Sequence, residues 1–173
     1  MTEIFLNTLP VATIGAHVLF VFLVLAIIYR NSWGRLVTEW VGKHSTALAF
    51  VVSLAALVGS LFYSNVIGFP PCELCWWQRI FLYPLPIIFG LALWKKDNSA
   101  FLYAIPLAAL ASITAAYQSY VNLGGNSFLP CTAVGAECSK IYVMAFGYIT
   151  IPMMSLTIGA YILLFALVKR IYG

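Results

Sequence analysis

Charge is scarce in this chain. Asp and Glu together number 5, Lys and Arg 9, and charged residues make up 8% of the 173 positions, against roughly 25% in an average soluble domain. That shortage excludes an ordinary water-soluble domain. It also argues against nucleic-acid binding, because a net charge of +4 spread over so few cations cannot form a stripe that tracks phosphates. Histidine is scarcer still, with 2 in the chain, so a zinc site would lack its usual nitrogen ligands. No Lys or Arg precedes Arg30. The basic n-region of a cleavable signal peptide is therefore missing, and the first apolar stretch is expected to stay as a helix.

What is present is hydrocarbon. The chain is 63% hydrophobic with a mean hydropathy of +0.98. A spanning helix needs about 20 apolar residues. Residues 10–29, 46–67, 100–121 and 147–168 meet that length. A shorter run, 76–94, carries Gln78 and Arg79 in its first turn and is expected to begin as a helix near Cys75. The expectation is an all-α integral membrane protein, five helices in one bundle. Between the first and second spans, Trp33, Leu36, Val37, Trp40 and Val41 recur with helical period. That pattern predicts a short separate helix lying on the membrane surface. A second segment, 140–146, is apolar enough to dip into the interface but too short for a helix.

The cations carry topology. Arg30, Arg35 and Lys43 fall in the first connection, Lys95 and Lys96 in the third, and Lys169 and Arg170 after the last span. If the spans alternate, these seven share one side, and only Arg79 and Lys140 lie on the other. The positive-inside bias then puts the N-terminus outside, the C-terminus in the cytoplasm and all four cysteines on the outer side.

Those cysteines come as Cys72-x-x-Cys75 after the second span, and Cys131 and Cys138 between the fourth and fifth. Spacing alone leaves three pairings open, and it leaves redox, metal and structural uses open. A Cys-x-x-Cys bridge closes a very short loop and constrains the unfolded chain little. Zinc would want a second close pair or histidines, and neither His17 nor His44 is placed to join. Redox chemistry is favoured by local features. Pro70 and Pro71 stop a preceding helix, a thiol at the start of the next helix faces unsatisfied amides that favour its thiolate, and Arg79 follows Cys75 by one turn. Arg79 also has a plainer reading, as a snorkelling anchor at the helix end.

The run from Pro71 through Cys72, Cys75, Trp76, Trp77, Gln78, Arg79 and Tyr83 to Pro84 resembles the signature of the DsbB/BdbC family, and so does Phe146–Pro152 at the last span. The resemblance covers about residues 46–170. It implies a four-helix redox core, residues 46–173, preceded by an added part, residues 1–45, made of an extra transmembrane helix and the interfacial segment. It further implies a quinone-dependent protein-disulfide oxidoreductase in the bacterial plasma membrane. Such a protein reoxidises an extracytoplasmic thioredoxin-like partner of DsbA or BdbD type and passes the electrons to ubiquinone or menaquinone. By motif, Cys131 matches the cysteine attacked by the reduced partner and Cys138 its resolving mate. Cys72 matches the acceptor of electrons from that second pair, Cys75 the cysteine nearest the quinone, and Arg79 the quinone-contacting arginine. The DsbA–DsbB–quinone relay is a known means of keeping a bacterial periplasm oxidising.

There are two departures from the family pattern. The first span lies outside the usual core. Where relatives often carry a histidine near the outer end of the fourth span, this chain has Gln118 and Ser119. His17, Gln78, Tyr117 and Tyr120 read as packing or interfacial residues rather than catalysts. A reductive relay of the vitamin K epoxide reductase type is the alternative, disfavoured because the Cys-x-x-Cys precedes the second core helix. A scaffold with purely structural disulfides is a further one.

Overall fold

In lipid, backbone amides and carbonyls must pair within their own segment, and this chain meets the demand with helices. The computed structural model describes residues 2–29, 32–126 and 138–172, without the side chains of residues 2–7 and 32. Arg30 and Cys131 lie outside the described residues. Helix α1 is Thr2–Ile28, α2 Ser32–Leu61, α3 Glu73–Leu82, α4 Pro84–Lys95, α5 Ala100–Asn122 and α6 Ile151–Tyr172. Among the described residues the nearest thing to a strand is one isolated bridge, between Ala145 and Ile149. Five segments are long and apolar enough to cross a membrane: Thr8–Ile28, Trp33–Val66, Glu73–Lys95, Ala100–Asn122 and Ile151–Tyr172. The expected all-α membrane architecture is what the structure has.

Three local expectations need correcting. The segment around Trp33–Val41 is helical, but it is not a separate element. It forms the first turns of α2, a single helix of 30 residues, since neither proline nor a run of turn residues interrupts it. Its expected apolar stripe also divides. Val41 is buried and Val37 half-buried against the bundle, while Trp33, Leu36 and Trp40 stay exposed. The third span is two helices, α3 and α4, because Pro84 has no amide to continue the ladder. The last helix starts at Ile151 rather than at Gly147, since Phe146 and Gly147 take positive φ angles (54° and 80°) in a tight turn closed by paired Ala145–Ile149 backbone bonds of 3.0 and 2.9 Å.

Helix α6 is the hub and packs along both α2 and α5. Small residues make the close approach possible. Ala104, Ala108, Ala111 and Ala115, one face of α5, are fully buried. Gly159 of α6 sits so tightly there that a Cβ would fall 2.2 Å from Ser112 Oγ. Phe89, Leu85 and Ile162 fill the remaining interior. Many large apolar side chains point outward, Val51, Ile87, Leu102 and Ile113 among them, as expected where the surroundings are lipid tails. The end holding Lys169 is tied by Lys169 Nζ donating to Thr46 Oγ1 (3.1 Å) and Asn98 Oδ1 (3.2 Å). Cys72, Cys75 and Cys138 lie at the opposite end.

Candidate functional site: a sulfur pair over a cavity

Pro70 and Pro71 keep the backbone from coiling too early, and Cys72 is extended (φ −77°, ψ 173°) as the N-cap of α3. The helix therefore starts at Glu73, two residues before the position expected. Cys72 caps it and Cys75 lies in its first turn, where amides lack helical partners. The two sulfurs approach to 2.9 Å. Cys72 is 4% exposed. Its hydrogen bond with Cys75 and, second, its burial hold its thiol well above the usual thiol range.

Gln118, on the facing helix α5, is the residue that sequence reasoning undervalued. Its Nε2 donates to Cys72 Sγ at 3.1 Å and lies 3.5 Å from Cys75 Sγ. Its orientation is set by Gln78, whose Nε2 donates to Gln118 Oε1 at 2.6 Å. Both amides are buried, at 6% for Gln78 and 4% for Gln118. Gln78 thus packs with a hydrogen-bond partner across the α3–α5 interface. The available signal was its register. It falls three residues after Cys75, one turn along, so α3 must present Cys75 and Gln78 on adjoining positions of one face.

Arg79 also lies one turn beyond Cys75. Its Nη2 donates to the Ser60 carbonyl (3.4 Å), and its guanidinium rests 5.3 Å from the Trp76 ring centre and 6.0 Å from that of Tyr83. The ion pair found among the described residues is a remote one, Arg35 with Glu39, so Arg79 carries a charge with no carboxylate beside it there. Cys138 is 3% exposed and packs in one small cluster with Cys72, Leu74, Cys75 and Tyr117. It is disulfide-bonded. The structure thus gathers Cys72, Cys75, Arg79 and Cys138 at one end of the bundle, while Cys131 is not described.

Beneath the sulfurs lies a cavity of about 320 Å³, within the range of small-molecule sites. Cys72, Cys75, Gln78, Arg79 and Gln118 line it. A stack of rings borders it, Tyr63 to Phe69 at 6.1 Å and Phe69 to Tyr142 at 4.9 Å. Tyr63 sits in a π-helical turn, Phe62–Val66, at the end of α2; such widened turns are frequent at functional sites. Three side-chain polar atoms of cavity residues are buried with no partner among the described residues: Tyr63 Oη, Asn122 Oδ1 and Ser155 Oγ. An unpaired buried polar atom costs about 1–3 kcal/mol, a cost that a polar ligand in the cavity could relieve.

Comparison with known proteins gives the same direction. The chain is 38% identical over 119 residues (68% of this chain, 86% of the relative) to "Disulfide bond formation protein C" of Bacillus subtilis. It is 42% identical over 108 residues (62% and 73%) to "SPbeta prophage-derived disulfide bond formation protein B" of the same organism. With "Probable disulfide formation protein" of Coxiella burnetii it shares 34% over 141 residues (80% and 95%). No solved structure matches the chain. The sequence profile described as Disulfide bond formation protein DsbB matches residues 42–169, which leaves α1 outside the match, and on that extent of agreement this multi-pass membrane chain belongs to the DsbB family.

Proposed function

We propose that this protein reoxidises an extracytoplasmic thioredoxin-like dithiol oxidase and hands the electrons to a membrane quinone, so sustaining disulfide formation in secreted proteins. One observation carries the reading: the Cys72–Cys75 sulfurs lie in contact above a cavity that Arg79 also lines. The division into residues 1–45 as an addition and residues 46–173 as the redox unit belongs to the same proposal, as does the orientation with the cysteines outside.

The electrons balance as follows. The reduced partner attacks the Cys131–Cys138 disulfide through a mixed disulfide at Cys131, and resolution releases oxidised partner and leaves two thiols. Those thiols reduce the Cys72–Cys75 disulfide by the same exchange, which needs a thiolate attacking an accessible sulfur. Closing Cys72 and Cys75 into a disulfide again releases two electrons and two protons. A quinone, when bound, supplies a two-electron, two-proton acceptor. The residues present suit one. The cavity walls are largely aromatic and aliphatic, Arg79 offers a fixed positive charge for a carbonyl oxygen, and the orphaned Tyr63 hydroxyl offers a donor. Gln118 directs an amide at both sulfurs and so steadies negative charge that develops there.

The test uses purified protein with a short-chain quinone analogue and a reduced thioredoxin-like partner. Quinone-dependent oxidation of the partner is expected, and its absence would overturn the proposal. In a Cys138→Ser variant the partner should accumulate as an adduct on Cys131, identifiable by mass spectrometry. Finding Cys131 and Cys138 reduced in growing cells would instead mean electrons run outward.

A further inference from the structure

Helix α1 lies beyond the residues that match the family, yet it borders the cavity. Leu9, Ala12, Thr13 and Ala16 line it. Their spacing of i, i+3, i+4 and i+7 puts them on one helical face. Farther along, the same face changes character. Phe20, Leu23, Val24 and Ile27 are large and pack on the central core. The helix therefore seals against the bundle along one half and leaves a hollow along the other. Within that lining the Thr13 hydroxyl is already engaged, donating to its own helix at Leu9 O (2.8 Å).

The helix is anchored where the two halves meet. His17 Nε2 is 2.8 Å from Thr157 Oγ1 and His17 Nδ1 is 3.3 Å from Tyr148 Oη. The Tyr161 hydroxyl donates to the Ala16 carbonyl at 2.5 Å, and Phe20 meets Tyr161 edge to face at 5.3 Å. This is a fixed wall. The same cavity holds the Tyr63 hydroxyl, on a residue 5% exposed, with no partner among the described residues, which points independently to a ligand carrying an acceptor oxygen.

We propose that the Ala12–Thr13–Ala16 face of α1 is a contact surface for a flat, carbonyl-bearing quinone, and that this added helix closes the side of the acceptor site. The inference rests on the reading of the cavity as a quinone site. In it, His17 positions the helix and touches no reacting atom. Small side chains on α1 set the width of the site, so enlarging them excludes the ring.

The test is equilibrium binding of decylubiquinone to the full chain in detergent, read by quenching of tryptophan fluorescence, together with photolabelling by an azido-quinone. Ala12→Phe and Ala16→Phe should each raise the dissociation constant about tenfold or more, equivalent to about 1.4 kcal/mol. Val18→Phe, on the exposed face of α1, should leave it unchanged and controls for folding. The azido-quinone should label a peptide of α1 as well as one containing Cys75. Saturable binding that is indifferent to Ala12→Phe and Ala16→Phe, with label confined to α3, would overturn the role of α1 and leave the quinone reading standing. Absence of saturable binding by the unaltered chain would overturn both.

Discussion

The middle of the bundle and its cysteine end are built on opposite principles. In the middle, alanines of α5 interlock with Gly159 of α6, Phe89 and Leu85 are fully buried, and the helices meet with little room to spare. At the cysteine end the helices diverge around a cavity, and three buried polar atoms there lack partners among the described residues. The difference teaches where stability and reactivity reside in a small membrane protein. Close packing in the middle allows the cysteine end to keep space, with polar atoms unpaired and Arg79 without a carboxylate beside it among the described residues.

Breaking the reactive end should give the largest effect. Cys75→Ser removes one of the two sulfurs that must join, and quinone reduction followed by absorbance should fall to background; surviving turnover would reassign the pair. Gln118→Leu should slow oxidation of the Cys72–Cys75 dithiol by about 10–100-fold in single-turnover measurements, the worth of a hydrogen bond to a charged group at about 1.5–3 kcal/mol. Gln78→Leu removes the hydrogen bond that orients Gln118 and should cost less, with partial rescue by Gln78→Asn.

Changing the helix packing outside the cavity lining should leave that chemistry intact. Gly159→Leu drives a side chain into Ser112 Oγ and the Ala108 carbonyl, and overpacking of this kind costs about 1–3 kcal/mol. A lower unfolding temperature in detergent is expected, with the sulfur exchange rate of the folded fraction unchanged. Thr46→Val removes one Lys169 contact and should cost about 0.5–1 kcal/mol. Finally, the sulfurs themselves can be compared. Cys72 is buried and its thiol is held above the usual range, so it stays protonated at neutral pH and becomes a nucleophile only as pH rises. Brief alkylation of the reduced protein at pH 7 should place the label on Cys75, with Cys72 gaining reactivity at alkaline pH; equal labelling at pH 7 would contradict this.

Much of this contrast was legible in the chain. Hydropathy marks five spans because lipid demands unbroken apolar length, and Pro70–Pro71 mark a helix start close by, expected near Cys75 and found at Glu73, because proline acts locally while the cap at Cys72 does not show in the residue pattern. The boundaries were less legible. Whether Trp33–Val41 stands alone or continues into α2 depends on tertiary contacts of Thr38 and Val41 that no period reveals. The site was legible where it rested on a contiguous motif, as with Cys72, Cys75 and Arg79. It was obscured where the partners lie far apart. Gln78 and Gln118 are separated by 40 positions, and their pairing emerges only when α3 is laid against α5. The cavity, likewise, depends on which face α1 turns inward.

The amide bridge between α3 and α5 has a consequence for acidity. An imidazole in the place of Gln118 would gain or lose a proton near pH 6.5 and would alter the field at the sulfurs as it did so. A carboxamide holds its hydrogens throughout that interval. The polarity that Gln78 and Gln118 present to the thiols is therefore constant in mildly acidic and neutral surroundings alike, and the steering of charge at this end of the bundle is set by folding once and for all rather than by the medium outside.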